Sequence, residues 1–192
     1  MVQTKITEIF KVGILTTKLN ININLLNNLC NNIEESQESI YVSNSGYQST
    51  IDRDKDSIIL ELKKQVLLQA SQYIDYLGYR AESLEMKNLW LNVNYYKDFN
   101  LPHNHGADLV SGVFYVKVPE NSGNIVFQNS SEFLQFNNDN IKNFNEYNST
   151  TWSFIPKNQE LFLFPSWINH YVQPNLNKKE KRISIAFNIN TK

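Results

Sequence analysis

The sequence predicts a mainly β protein: a sandwich or barrel of short antiparallel strands, with two N-terminal helices packed on one sheet. Three observations carry this. From Lys87 onward, short apolar or alternating runs recur, separated by turn signals such as Pro119-Glu-Asn-Ser-Gly123. The connections between these runs are too short and too polar for crossover helices, so the sheets should be mainly antiparallel. Both segments of helical periodicity lie ahead of the strands. The 192 residues fit one domain, with 1–86 as a strand and helical support region and 87–192 as the core.

Ile6 to Leu19 reads as a strand or strand pair, β-branched residues mixing with Phe10, and Gly13 marking a bend. Asn22 or Asn24 caps a helix whose apolar side runs through Leu25, Leu26, Leu29 and Ile33. Cys30 falls on this helix, where a small buried residue is a better reading than a nucleophile. Ser36 to Asp54 is polar, with Ser43-Asn-Ser-Gly-Tyr-Gln-Ser49 as a turn-rich loop, either a connection or a rim of the site. Asp54 or Asp56 opens a second helix, apolar through Ile58, Leu60, Leu62, Val66, Leu67, Ala70, Ile74 and Leu77, which Gly78 ends.

The strands follow. Leu89 to Tyr96 alternates, placing Trp90, Asn92, Asn94 and Tyr96 on one face, a better lining for a polar pocket than for a solvent surface. Asp108 to Val118 is strongly apolar. Asn124–Gln128, Thr150–Pro156, Glu160–Pro165, Asn169–Val172 and Arg182–Asn190 are shorter runs, and Glu132–Ser149 is a long Asn-rich loop. Trp152, Trp167, Phe114 and Tyr115 read as core, with lining of the substrate cavity as the alternative, and Ser111 as a buried strand residue with no base to activate it.

Composition narrows the function classes. Net charge is −1 with no basic block, which does not favour a nucleic-acid partner or an anionic membrane surface. No apolar run approaches the ~20 residues of a membrane helix. The N-terminus lacks the pattern of a secretory signal. Cys30 is the single cysteine, so no disulfide can form within the chain, and a reducing cytoplasm is the expected location. The Asn, Ile, Lys and Tyr bias is associated with AT-rich genomes, such as those of marine microbes or their phages.

The chain has three histidines: His103 and His105 in Leu101-Pro-His-Asn-His-Gly-Ala-Asp108, and His170 in Phe164-Pro-Ser-Trp-Ile-Asn-His170. In an extended segment, residues i and i+2 point to one side, so His103 and His105 can face one ion. His170 is the remaining candidate for a third ligand. Three protein ligands leave coordination positions open, which catalysis needs and a structural metal does not.

These motifs resemble the 2-oxoglutarate/Fe(II)-dependent dioxygenases on the double-stranded β-helix (jelly-roll, cupin-like) fold. The residues that carry the resemblance are Trp90-Leu-Asn92, His103-Asn-His105, Ser111-Gly-Val-Phe-Tyr115, Phe164-Pro-Ser-Trp-Ile-Asn-His170 and Arg182-Ile-Ser-Ile-Ala-Phe-Asn188, spanning about Leu89 to Asn190. The loop Ser43–Ser49 is similar to the same branch. The resemblance implies Fe(II) on His103, His105 and His170, with 2-oxoglutarate and O2 as co-substrates. It implies that Arg182 holds the far carboxylate, its planar donor fork suiting that group. Ser184 shares its strand face, and Asn94 or Tyr96 could add a hydrogen bond. Succinate and CO2 would be released as an unidentified substrate, a small molecule or a protein side chain, is hydroxylated.

The superfamily's usual triad has a carboxylate where His105 stands. Asp108 is therefore an alternative ligand, with only one of His103 and His105 bound. A further alternative is that His105-Gly-Ala107 is the ligand-plus-small-residue pattern of iron halogenases. A cupin-like non-oxidative metal enzyme and a non-catalytic jelly-roll binding protein are competing functions; the first would not need Arg182 at its place after His170, and the second has no reason to gather all three histidines into two motifs. Glu132–Ser149 and Ser43–Asp54 are candidate substrate lids. A homodimer through the N-terminal helices is left open.

Overall fold

A computed structural model describes residues 4–36, 40–42, 46–53, 55–80, 82–106, 108–131 and 140–192. Ser43 to Ser45, Asp54, Ala107 and residues 132–139, parts of the two candidate lids and of the halogenase-like pattern, lie outside the described residues.

The predicted helices form where their signals stand. α1 spans Ile23–Glu35, and the Asn22 side chain accepts from the Leu25 backbone N–H at 3.1 Å. α2 spans Ser57–Tyr76 and is capped by Asp56, whose carboxylate accepts from the Ile58 N–H at 3.0 Å. Both caps satisfy an N–H that the first helical turn leaves unpaired. Gly78, at φ +79°, lies just beyond the end of α2.

Among the described residues, eleven strands build two sheets, every pairing antiparallel. In chain order they are β1 (Leu15–Lys18), β2 (Ile40–Val42), β3 (Gly46–Thr50), β4 (Leu84–Asn94), β5 (Asn100–His103), β6 (Val110–Lys117), β7 (Ile125–Gln128), β8 (Thr151–Phe154), β9 (Glu160–Pro165), β10 (His170–Val172) and β11 (Arg182–Thr191). The large sheet runs β1-β9-β6-β11-β4-β3-β2 and the small one β5-β10-β7-β8. The N-terminal region is thus woven into the large sheet and also covers it. The strand expected between Ile6 and Leu19 is shorter than that span, because Ile6, Ile9 and Phe10 are exposed and outside β1.

Alternation along the central strands divides the interior into two cores. Phe114 and Val116 of β6, with Ile183, Ile185 and Phe187 of β11, face α1 and α2 and meet Leu26, Ile33, Ile59, Leu62 and Val66. Gly112 belongs to this face: a Cβ there would sit 2.5 Å from the Phe187 ring and 2.7 Å from Leu163, so only glycine allows the sheet this packing. The opposite face of the same strands turns toward the small sheet. There Val113, Tyr115, Phe162 and Phe164 pack on Ile125, Phe127 and Ile168. The sequence of apolar and polar residues on β11 keeps Arg182, Ser184, Ala186 and Asn188 on this inner face. All candidate site residues on the large sheet come from it.

Candidate active site

Strand pairing brings the histidines together. His103 closes β5 and His170 opens β10, and the two are direct partners across the small sheet. His105 lies two residues beyond His103, past the strand end, where its backbone N–H bonds to the Ser166 carbonyl at 2.8 Å. The turn between β9 and β10 thereby fixes the loop that carries His105. Ring centroids are 4.4 Å apart for His103–His170, 5.0 Å for His103–His105 and 5.3 Å for His105–His170. One ligand atom from each ring lies within 4.8 Å of the others, close enough for the three to hold a single metal ion.

Two of the rings are oriented in the same way. His103 Nδ1 lies 2.7 Å from the Leu101 carbonyl, and His170 Nδ1 lies 3.0 Å from the Ile168 carbonyl. A carbonyl only accepts, so each Nδ1 carries the proton and each Nε2 keeps its lone pair for a metal. Burial, with repulsion from the neighbouring rings, pushes His170 down to about 4. Burial also lowers His105, opposed by the Asp108 carboxylate. Neutral imidazole is the form that ligates. The donor set suits Fe(II): three neutral nitrogens that leave open positions.

Asp108 is not in this group. Its backbone N–H reaches the His105 carbonyl at 3.4 Å, and its carboxylate acts on the imidazole as a nearby negative charge.

The second half of the site lies along β11. Arg182 is 1% exposed and faces Asn94 across the β4–β11 ladder. Nε and Nη2 both donate to Asn94 Oδ1, at 3.3 and 3.0 Å, and Nη1 donates to the carbonyls of Ser122 and Gln173. Among the described residues these bonds use four of its five N–H donors. The free donor is on Nη2. Tyr115 faces Ser184 in the β6–β11 register, and its buried hydroxyl has no partner among the described residues. The same holds for the buried Ser122 hydroxyl. A buried guanidinium with a spare donor and two orphaned hydroxyls nearby in the fold fit one missing anionic acceptor, the far carboxylate of 2-oxoglutarate.

Residues 88–188, more than half the chain, match the family described as "Putative 2OG-Fe(II) oxygenase". The chain belongs to this family. It is a 2-oxoglutarate- and Fe(II)-dependent oxygenase, with iron and 2-oxoglutarate as its cofactors. Solved structures share the fold. A Pseudomonas putida prolyl-4-hydroxylase superposes with a TM-score of 0.67 at 14% identity, covering 94% of each chain. The α-ketoglutarate-dependent epimerase SnoN of nogalamycin biosynthesis gives 0.69 at 13%, covering 94% of this chain and 79% of that one. The viral collagen prolyl hydroxylase of Paramecium Bursaria Chlorella virus-1 gives 0.61 at 13%, covering 93% and 96%. These likenesses establish the double-stranded β-helix fold. No curated protein matches the sequence.

Several expected residues stand elsewhere than the sequence suggested. Tyr96 does not share the polar face: β4 ends at Asn94, and the Asp98 carboxylate takes the Tyr95 N–H at 2.8 Å, turning the chain out of the sheet. Tyr96 is 41% exposed and lies beneath the ammonium groups of Lys97 and Lys178. Asn94 is on the inner face, but its Oδ1 accepts twice from Arg182, so it orients the arginine. Trp152 and Trp167 are about half exposed, on an edge strand and in the β9–β10 turn. Phe114 and Tyr115 are buried, as expected. Ser111 is also buried, bonded at 2.8 Å to both Ser166 Oγ and Asn188 Oδ1. Tyr115 is a residue that sequence reasoning placed in the core, or in the lining of the substrate cavity, without assigning its hydroxyl a role. Its one signal was a hydroxyl carried into an otherwise apolar strand.

Proposed function

We propose that His103, His105 and His170 hold the Fe(II), that Arg182 and Tyr115 hold the far carboxylate of 2-oxoglutarate, and that the enzyme hydroxylates a small molecule or a protein side chain. The observation that carries this reading is the gathering of the three histidine ligand atoms within 4.8 Å of one another. Ser184, between Arg182 and the histidine end on the inner face, lines the path of the bound co-substrate. When bound, iron with 2-oxoglutarate and O2 supplies the oxidising power that places one oxygen atom in a C–H bond and leaves succinate and CO2.

The chain's own residues hold, orient and keep dry. The Leu101 and Ile168 carbonyls set the tautomers of His103 and His170. Val113, Phe127, Phe162 and Phe164 fill the space between the sheets and exclude water from it. Arg182 is held in place before the co-substrate arrives, so little side-chain entropy is lost when it binds. Burial pushes the Cys30 thiol up to about 12, so it stays protonated and inert; a cytoplasmic location suits the reduced thiol.

The test is succinate production from 2-oxoglutarate by the purified protein with Fe(II) and O2. Turnover lost in His170→Ala and in Arg182→Ala supports the proposal. Absence of both turnover and 2-oxoglutarate binding in the wild-type, iron-loaded protein contradicts it.

A further inference from the structure

Arg182 and Asn94 are the first residue of β11 and the last of β4, so the co-substrate anchor sits where two strands begin and end. Strand ends fray unless something fastens them. The residues just outside the pair are Lys181 and Tyr95. Both are taken by one side chain from another element. Glu34, on the last turn of α1, receives the Tyr95 hydroxyl on Oε1 at 2.5 Å and the Lys181 ammonium on Oε2. Lys181 also lies 5.8 Å above the Tyr95 ring. The side chains are 9% exposed for Glu34 and 21% for Lys181, so this pair is shielded from water, unlike an ordinary surface ion pair.

We propose that Glu34 is a positioning residue for co-substrate binding: it clamps the ends of β4 and β11 together and so sets where Arg182 presents its free donor. The inference rests on Arg182 being the carboxylate anchor. Glu34 touches neither cofactor and acts through the strand ends. Its charge is the active feature, because each oxygen accepts from a different strand. Removing Lys181 should then have the same effect as removing the charge, and the two changes should not add.

The experiment is calorimetric titration of 2-oxoglutarate into anaerobic Fe(II)-loaded protein, with the Fe(II) dissociation constant and melting temperature measured in parallel. For Glu34→Gln and Lys181→Met we expect 2-oxoglutarate affinity to fall about 3- to 10-fold, with Fe(II) affinity unchanged. We expect the double variant to resemble either single one, and Glu34→Asp to recover part of the loss. Arg182→Gln is the control for the underlying reading. If it leaves 2-oxoglutarate affinity intact, Arg182 is not the anchor and the clamp proposal falls with it. If Arg182→Gln weakens binding but Glu34→Gln does not, the anchor stands and the role of Glu34 is refuted. A Glu34→Gln variant that loses Fe(II) and 2-oxoglutarate affinity equally also refutes it, since that marks a general loosening of the fold.

Discussion

The two ends of the site are built in opposite ways. The histidine end draws on β5 and β10, strands of four and three residues in the small sheet, and on a loop. The arginine end sits on β11, ten residues long and paired on both sides in the large sheet. Among the described residues His105 is tied to another element by one backbone bond, from its N–H to the Ser166 carbonyl, whereas Arg182 makes four side-chain bonds and is 1% exposed. The contrast matches the chemistry asked of each end. A metal with open positions must exchange ligands during turnover, and the proposed ligands stand at the ends of short strands and on a loop. A carboxylate anchor must hold one group in one place, and the proposed anchor lies in the long, doubly paired strand.

The largest effect should come from breaking the histidine end. His170→Ala removes a buried ligand, and Fe(II) affinity measured by anaerobic titration should fall at least ~100-fold, taking succinate formation with it. Breaking the arginine end should separate the two functions. Arg182→Ala should weaken 2-oxoglutarate by roughly 30-fold or more while iron still binds. Equal losses of both would erase the division of labour between the ends.

Tyr115→Phe sharpens the contrast further. In the ligand-free protein the hydroxyl is an unpaired buried group, so its removal should stabilise the fold by about 1 kcal/mol in chemical denaturation. The same change should weaken 2-oxoglutarate by about tenfold, the worth of a hydrogen bond to a charged acceptor. Opposite signs for stability and binding are the signature of a group kept for its ligand. A destabilised variant with unchanged binding would make Tyr115 a packing residue.

The histidine end should also carry a pH effect. In the metal-free protein, His170 is held near 4 while the unfolded chain titrates near 6.5. The folded state therefore binds fewer protons than the unfolded state between these values. Stability should be flat above about pH 6.5 as far as this group is concerned, then fall by up to about 3 kcal/mol as the pH drops toward 4. His170→Gln should flatten that slope in urea unfolding curves. Loss of stability on raising the pH through the same window would have the wrong sign for a buried neutral imidazole.

Much of this was legible in the sequence, and the failures have a common cause. His103, His105 and His170 could be grouped because a short-range spacing and a scarce residue type do not depend on the rest of the fold. The caps at Asn22 and Asp56 are local chemistry and stood where expected. Alternation gave the inner face of β4 but not its end: Tyr96 was carried along the pattern past the point where Asp98 turns the chain. Trp152 was read as core from its place in the strand pattern, and an edge position in the small sheet is invisible in sequence. The meeting of Tyr115 with Ser184 and of Arg182 with Asn94 depends on the registers of β6, β11 and β4, which only the assembled sheet determines.

The central claim is a three-histidine iron site in which His105 takes the position usually held by a carboxylate. It is tested most directly by anaerobic Fe(II) titration of His105→Ala and Asp108→Ala beside the wild type. The structure predicts one Fe(II) per chain, at least ~100-fold weaker binding in His105→Ala, and binding within about threefold of wild type in Asp108→Ala. Iron retained by His105→Ala and lost from Asp108→Ala would contradict it and make the ligand set a conventional one.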